Sequence, residues 1–345
     1  MTILQQQPNN FNIIRLLAAV FVIFSHSFGF FHQLDPVKYC TNGQLPGGQL
    51  AVYIFFVLSG YLITASWLKK ENVRVYLESR VRRIFPALVV TVFLSVFIFG
   101  PLLTSLSLES YFSSADTYAY FWNLSLWKMS MTLPGVFVYE GKEHTFNAPL
   151  WTLFFEFLMY LLVILFGLMK LFRREKMSVY LLWTFFISSL ILCTLKISPD
   201  LFMLKIGVAN FVRFFAFFFS GALYYLYLKG KKPQWFIPVL FLCLSLALRS
   251  TQFFFVPALF CIVTSVFYIG FHEKKFGTAI VSKGDFSYGT YLYGFIVQSI
   301  VFQYFGKSLN PMTHFLISTI FTLPLAILSW NLIEEKLLKR NKSLL

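Results

Sequence analysis

The chain has 345 residues, of which 58% are hydrophobic and only 12% charged, with a formal net charge of +15. A charged share about half that of a soluble domain, with a mean hydropathy of +0.70, excludes an ordinary water-soluble fold and points to a helical membrane protein. The basic excess does not read as a nucleic-acid surface, because Lys and Arg stand in short clusters flanking apolar spans, as on a cytoplasmic membrane face.

Ten apolar spans are predicted, at 11–31, 48–68, 84–104, 149–169, 179–195, 206–228, 235–248, 253–271, 286–305 and 312–333. The expected fold is all-α, a polytopic membrane helical bundle of about ten transmembrane helices, forming a single domain over 1–345. The start, MTILQQQPNN, lacks the basic region of a signal peptide, and no small-residue cleavage site follows the first apolar run. That span is therefore expected to be retained. The seventh span is short and contains Pro238; it reads as a re-entrant or tilted piece as readily as a full crossing.

The first span carries Arg15 and, eleven positions on, His26. Eleven steps of 100° return a helix to within about 20° of its starting direction, so the two share a face, roughly 16 Å apart along the axis. Ionisable groups inside a span are costly and face a bundle interior or a water-filled path. A cation near one end and a proton-transfer group deeper in predict chemistry within the membrane. In the second span, Ser59-Gly60 reads as a close helix contact rather than a nucleophile, since no GxSxG motif and no nearby base accompany it.

The third span opens on Arg80-Val-Arg82-Arg83. Guanidiniums grouped at a helix start suit phosphate groups, and serve equally as topology anchors. Residues 105–148 then form a long segment rich in Tyr, Phe, Trp, Ser and Thr, expected outside the membrane as a partial lid. Glu156 lies about 10 Å into the fourth span and His26 roughly 8 Å below the same surface, by the helical rise. A carboxylate and an imidazole at one depth suit an orienter and a general base. Arg213 enters the sixth span to a similar depth, to balance Glu156 or to bind a substrate oxygen. A buried structural ion pair is the plain alternative for each.

The remaining candidates are weaker. Cys40, Cys193, Cys243 and Cys261 include no CxxC pair, so neither a metal site nor a disulfide framework is expected. His32, His144 and His314 lie at span ends and read as solvated. With the amino terminus in the cytoplasm, basic clusters at 69–83, 170–176, 229–232, 274–283 and 336–342 all face inward. Both termini are then cytoplasmic. No internal repeat is visible, which weighs against a transporter built from duplicated halves.

Six segments taken together resemble the acyltransferase-3 family of integral membrane acyltransferases. They are Arg15-x10-His26, FFVLSGYLI at 55–63, RVRRIFPAL at 80–88, APLWTLFFEFLMYL at 148–161, SYGTYLYGFIVQ at 287–298 and WNLIEEK at 330–336. The resemblance implies acyl transfer, commonly acetyl, from cytoplasmic acyl-coenzyme A to hydroxyls of cell-surface sugars. It implies that His26 is the essential base, that Arg15 belongs to the same motif, that Arg80 and Arg83 serve the donor side and that Glu156 lies in the pocket. One departure stands out: many members carry a histidine where this chain has Gly294, so no second-histidine role carries over. Some members append a soluble esterase-like domain; none is expected by residue 345.

The expected function is thus membrane O-acyl transfer from acetyl-CoA or another acyl-CoA to a polysaccharide or lipid-linked glycan, in a bacterial inner membrane, with lipids and glycan as partners, no nucleic acid and no metal. A transporter or flippase for a glycan or acyl group, without chemistry, is the alternative.

Overall fold

A computed structural model of the chain describes residues 9–139, 141–173, 176–195 and 207–339. The segment before residue 9, Arg174, the stretch carrying Lys196 and Lys205, and the tail carrying Arg340 and Lys342 lie outside the described residues. Each of the ten predicted spans coincides with a helix: α1 Phe11–Phe30, α2 Gly47–Lys70, α3 Val73–Leu94, α4 Trp151–Leu168, α5 Lys176–Thr194, α6 Val208–Leu228, α7 Phe236–Ala247, α8 Phe255–Gly270, α9 Ser287–Phe305 and α10 Pro311–Ser329. The strands among the described residues are β1 Val138–Tyr139 and β2 Lys142–Glu143, one antiparallel pair.

Seven helical stretches among the described residues are long and apolar enough to cross a membrane: Phe11–Phe30, Gly47–Lys70, Val73–Leu103, Ala148–Leu168, Val208–Leu228, Gln252–Gly270 and Pro311–Leu338. The other three predicted spans differ for identifiable reasons. The apolar helices Val179–Thr194 and Phe236–Ala247 are shorter. α9 has 19 residues but buries Ser287, Thr290, Gln298 and Ser299. A helix this polar is one that protein, rather than lipid, surrounds.

The chain divides into two compact units. The first comprises Met1–Ala18, Asp35–Glu71 and Met159–Lys283. Its centre is the pairing of α2 with α6, set by glycine on both sides. A Cβ on Gly60 would collide with the Phe218 carbonyl, and one on Gly221 with the Val57 carbonyl. The small residues of the second span are thus a packing device. Around them the abundant phenylalanine finds its use: Tyr53 stacks on Phe217 at 3.9 Å, Phe56 on Phe214 at 4.4 Å and Tyr224 on Phe267 at 3.7 Å.

Gly60→Ala should therefore force the two backbones apart, at a cost of about 1–3 kcal/mol from overpacking. Gly29, with nothing near the place of a Cβ, is the control. A thermal unfolding midpoint in detergent that falls for Gly60→Ala and holds for Gly29→Ala is the expected result.

The second unit comprises Ala19–Leu34, Asn72–Leu158 and Gly284–Leu345. α9 and α10 approach closely at Gly289, where a Cβ would lie 2.8 Å from the Ala326 Cα. α3 continues through a π turn at Ser95–Phe99 to Leu103, and α10 through a second π turn at Trp330–Glu334. The aromatic segment after α3 is docked. Tyr111 donates to the Val96 carbonyl inside the first π turn at 3.0 Å, Thr104 donates to Pro134 O at 2.8 Å, and the Gly135 amide donates to Glu143 Oε1 at 2.7 Å. Tyr111, Tyr120, Leu133, Val136, Phe137 and Phe146 form its buried core. Burial pushes the Tyr111 and Tyr139 phenols up to about 12.

Candidate active site

The site is best followed along α9. At its amino-terminal end stands Arg83, on α3. Its guanidinium lies 2.7 Å from Asp285 Oδ2 and 3.6 Å from Glu334 Oε2, and 5.7 Å from the centre of the Tyr288 ring. Tyr288 in turn donates to the Ile84 carbonyl on α3 at 2.8 Å. Arg83 is thus held by two carboxylates that are themselves nearly buried. Arg80, half-buried one turn earlier, donates to Ser79 Oγ at 3.1 Å and covers the Tyr76 ring at 5.8 Å.

One turn beyond Tyr288, the Tyr291 hydroxyl donates to the Pro149 carbonyl at 2.9 Å and meets the Thr152 hydroxyl. Pro149 lies in the 3-10 turn just before α4 and Thr152 in its first turn, and Glu156 follows Thr152 by one turn, half-buried. Asn147 fixes the approach to α4 from before it, its side-chain amide donating to Leu292 O at 2.9 Å.

A further turn along α9, Phe295 packs edge-on against the His26 ring, centroids 5.3 Å apart and planes at 90°. Residues 288, 291 and 295 occupy one face of the helix, and the seven residues rise by about 10 Å. Arg83 packs on Tyr288, Thr152 on Tyr291 and His26 on Phe295, so α3, α4 and α1 border consecutive turns of one helix face, with Glu156 one turn along α4 from Thr152.

Two predicted residues fall in the first unit. Arg15 is half-buried on α1, a single unbroken helix, so the eleven-residue spacing to His26 is a helical one. Arg213, on α6, lines a small pocket together with Tyr53, Gln44, Gln252 and Cys193.

One expectation is corrected. His314 is not a solvated rim residue: it is 0% exposed. Asn310 caps α10 and places His314 one turn inside, and Phe30, Phe31 and Phe302 surround its ring at 5.1, 5.6 and 6.1 Å. Sequence reasoning judged it by distance from the helix end and missed that the aromatic residues of α1 and α9 roof it over. His144 is exposed, as expected. Gln298, Tyr291 and Phe295 were missed as well. Gln298 alone carried a signal, a carboxamide amid an apolar run. Gly294 also has a local reason: a Cβ there would lie 2.9 Å from Ile23 Cγ1, so the α1–α9 approach excludes a side chain.

Known proteins resemble this chain over nearly its whole length. The sequence matches the family described as "Acyltransferase domain" over residues 9–331. It is 30% identical over 350 residues to an O-acetyl transferase of Shigella phage Sf6, covering 97% of each chain. It is 27% identical over 364 residues to nodulation protein 10 of Rhizobium leguminosarum bv. viciae, covering 97% of this chain and 95% of the other. No solved structure matches. With nearly the whole length matched and apolar helices throughout, the chain is an integral membrane acyltransferase of the acyltransferase-3 family.

Proposed function

We propose that the chain transfers acetyl from cytoplasmic acetyl-CoA to a hydroxyl of a surface polysaccharide or lipid-linked glycan, in a bacterial inner membrane. The observation that carries the reading is the single face of α9 bordered by Arg83, by the Thr152–Glu156 turn of α4 and by His26. His26 accepts the proton of the attacking hydroxyl as the new ester forms, and coenzyme A leaves as the thiol. Glu156 stabilises the imidazolium. Arg80 and Arg83 set a positive field at the donor end. Arg15 on α1 and Arg213 in its own pocket are the further guanidiniums assigned to substrate oxygens. The family resemblance and the phage relative named as an O-acetyl transferase favour acetyl and oxygen. Inside-out membrane vesicles that hold the protein and the cell's own glycan should release coenzyme A from added acetyl-CoA. Release no faster than from vesicles lacking the protein overturns the reading.

The proposed orientation has ten crossings with both termini inside. A cysteine replacing Lys142, in an otherwise cysteine-free background, should react with an impermeant maleimide on intact cells, while one replacing Lys231 should react only after permeabilisation. The reverse pattern would place His26 and Glu156 nearer the cytoplasmic side.

A further inference from the structure

Beside the imidazole assigned as base lies a second, fully buried polar cluster. Ser27, Gln298 and His314 are all 0% exposed, and they come from α1, α9 and α10. The Gln298 carboxamide nitrogen lies 2.8 Å from Ile23 O and 2.8 Å from Ser27 Oγ. A carbonyl only accepts, so this atom is the nitrogen and both its hydrogens are used. His314 Nε2 lies 2.9 Å from the Gln298 backbone oxygen, again an acceptor only, so Nε2 carries a hydrogen. His314 Nδ1 lies 3.0 Å from Ser27 Oγ. The Ser27 oxygen accepts from Gln298 and lies 3.0 Å from both Ile23 O and His314 Nδ1, so its hydrogen is shared between the helix carbonyl and the imidazole. The loop closes through these contacts: Gln298 donates to Ser27, Ser27 meets His314 Nδ1, and His314 Nε2 donates back to the Gln298 backbone. A closed set of buried hydrogen bonds rigidifies the elements it joins, and each partner removed leaves the others unsatisfied.

The clamp holds a particular turn. Ile23 and Ser27 are one helical turn apart on α1, and His26 lies between them. Phe295, which packs on the His26 ring, precedes Gln298 by three residues on the same helix face. The missing side chain at Gly294 lets Ile23 come close enough for the Gln298 bond.

We propose that Ser27, Gln298 and His314 form a positioning network that fixes the His26 imidazole for proton transfer, with none of the three touching the reacting atoms. This deepens the reading of His26 as the base of acyl transfer and rests on it.

The test compares Ser27→Ala, His314→Leu and His314→Gln with the native protein, in membranes carrying the cell's own glycan and supplied with acetyl-CoA. Displacement of a catalytic group by about 1 Å costs on the order of 100-fold in rate. Ser27→Ala and His314→Leu should each lower kcat by at least tenfold with the KM for acetyl-CoA unchanged. His314→Gln, whose amide can still accept from Ser27 and donate to Gln298, should recover most of the loss. The Ser27→Ala/His314→Leu pair should lose little more than either single change, because one loop is broken in both. A folded Ser27→Ala protein with native kcat overturns the proposal. So does additive loss in the double variant, or loss in His314→Leu that His314→Gln does not recover. A second readout is independent of turnover: the rate at which diethylpyrocarbonate modifies His26, followed by peptide mass spectrometry. It should change several-fold in Ser27→Ala and return toward native in His314→Gln. If the native protein transfers no acetyl group, the functional reading fails, and an unchanged modification rate would sink the network separately.

Discussion

His26→Ala should abolish acetyl transfer while the protein still folds and enters the membrane. The ring is half-buried, with Phe295 at its edge, and its removal leaves a space beside that phenylalanine. The stability cost is therefore modest. The catalytic cost is not, because a positioned general base contributes on the order of 10²–10⁴-fold. His26→Gln, which fills the space but takes up no proton at neutral pH, should be as inactive as alanine. Initial rates in membranes holding equal amounts of each protein measure the effect. A folded His26→Ala protein with more than a few per cent of native activity would remove His26 from the chemistry.

Arg83→Gln should act in a different way, through folding. The guanidinium neutralises Asp285 and Glu334, whose side chains are 12% and 3% exposed. Removing one partner of a buried ion pair typically costs 3–5 kcal/mol, because the remaining charge has no compensation. Against a total stability of about 5–15 kcal/mol, this is a large share. Expression level and the thermal midpoint in detergent should both fall sharply, and Arg80→Gln should cost less. A combined Arg83→Gln/Asp285→Asn/Glu334→Gln protein should recover stability. The donor KM of that variant then isolates the role expected from the sequence. A KM that stays high assigns Arg83 to the donor as well; a native KM leaves it as the pin between α3, α9 and the end of α10.

Much of this was legible before any coordinates, for physical reasons. Long apolar runs declare themselves by composition, and a helix follows wherever a backbone in hydrocarbon must satisfy its own hydrogen bonds. Arg15, His26 and Glu156 were conspicuous because ionisable groups are rare in such runs. Gly60 was read correctly as a contact point, although its partner Gly221 was not named. What escaped was tertiary. The carboxylates that hold Arg83 lie 202 and 251 positions away in sequence, and no local pattern pairs them. Asp285 looks like a loop residue, and Glu334 belongs to a closing motif until the π turn at Trp330–Glu334 brings it inward. His314 sits four residues from its cap, where helical rise alone predicts exposure; only the packing of Phe30, Phe31 and Phe302 makes that position interior. In sequence α9 has the length and register of an ordinary span, yet its polar residues make it the helix against which the site is assembled.

The most direct measurement follows the acetyl group itself. Inside-out vesicles are given acetyl-CoA labelled in the acetyl carbon, and the glycan is then isolated and treated with mild alkali. The label should be covalently bound to glycan as an ester that alkali releases as acetate, with one coenzyme A freed outside the vesicle per acetyl transferred, and none of this in His26→Ala membranes. Label that reaches the lumen without coenzyme A release or ester formation would make the protein a carrier, and would contradict transfer at His26.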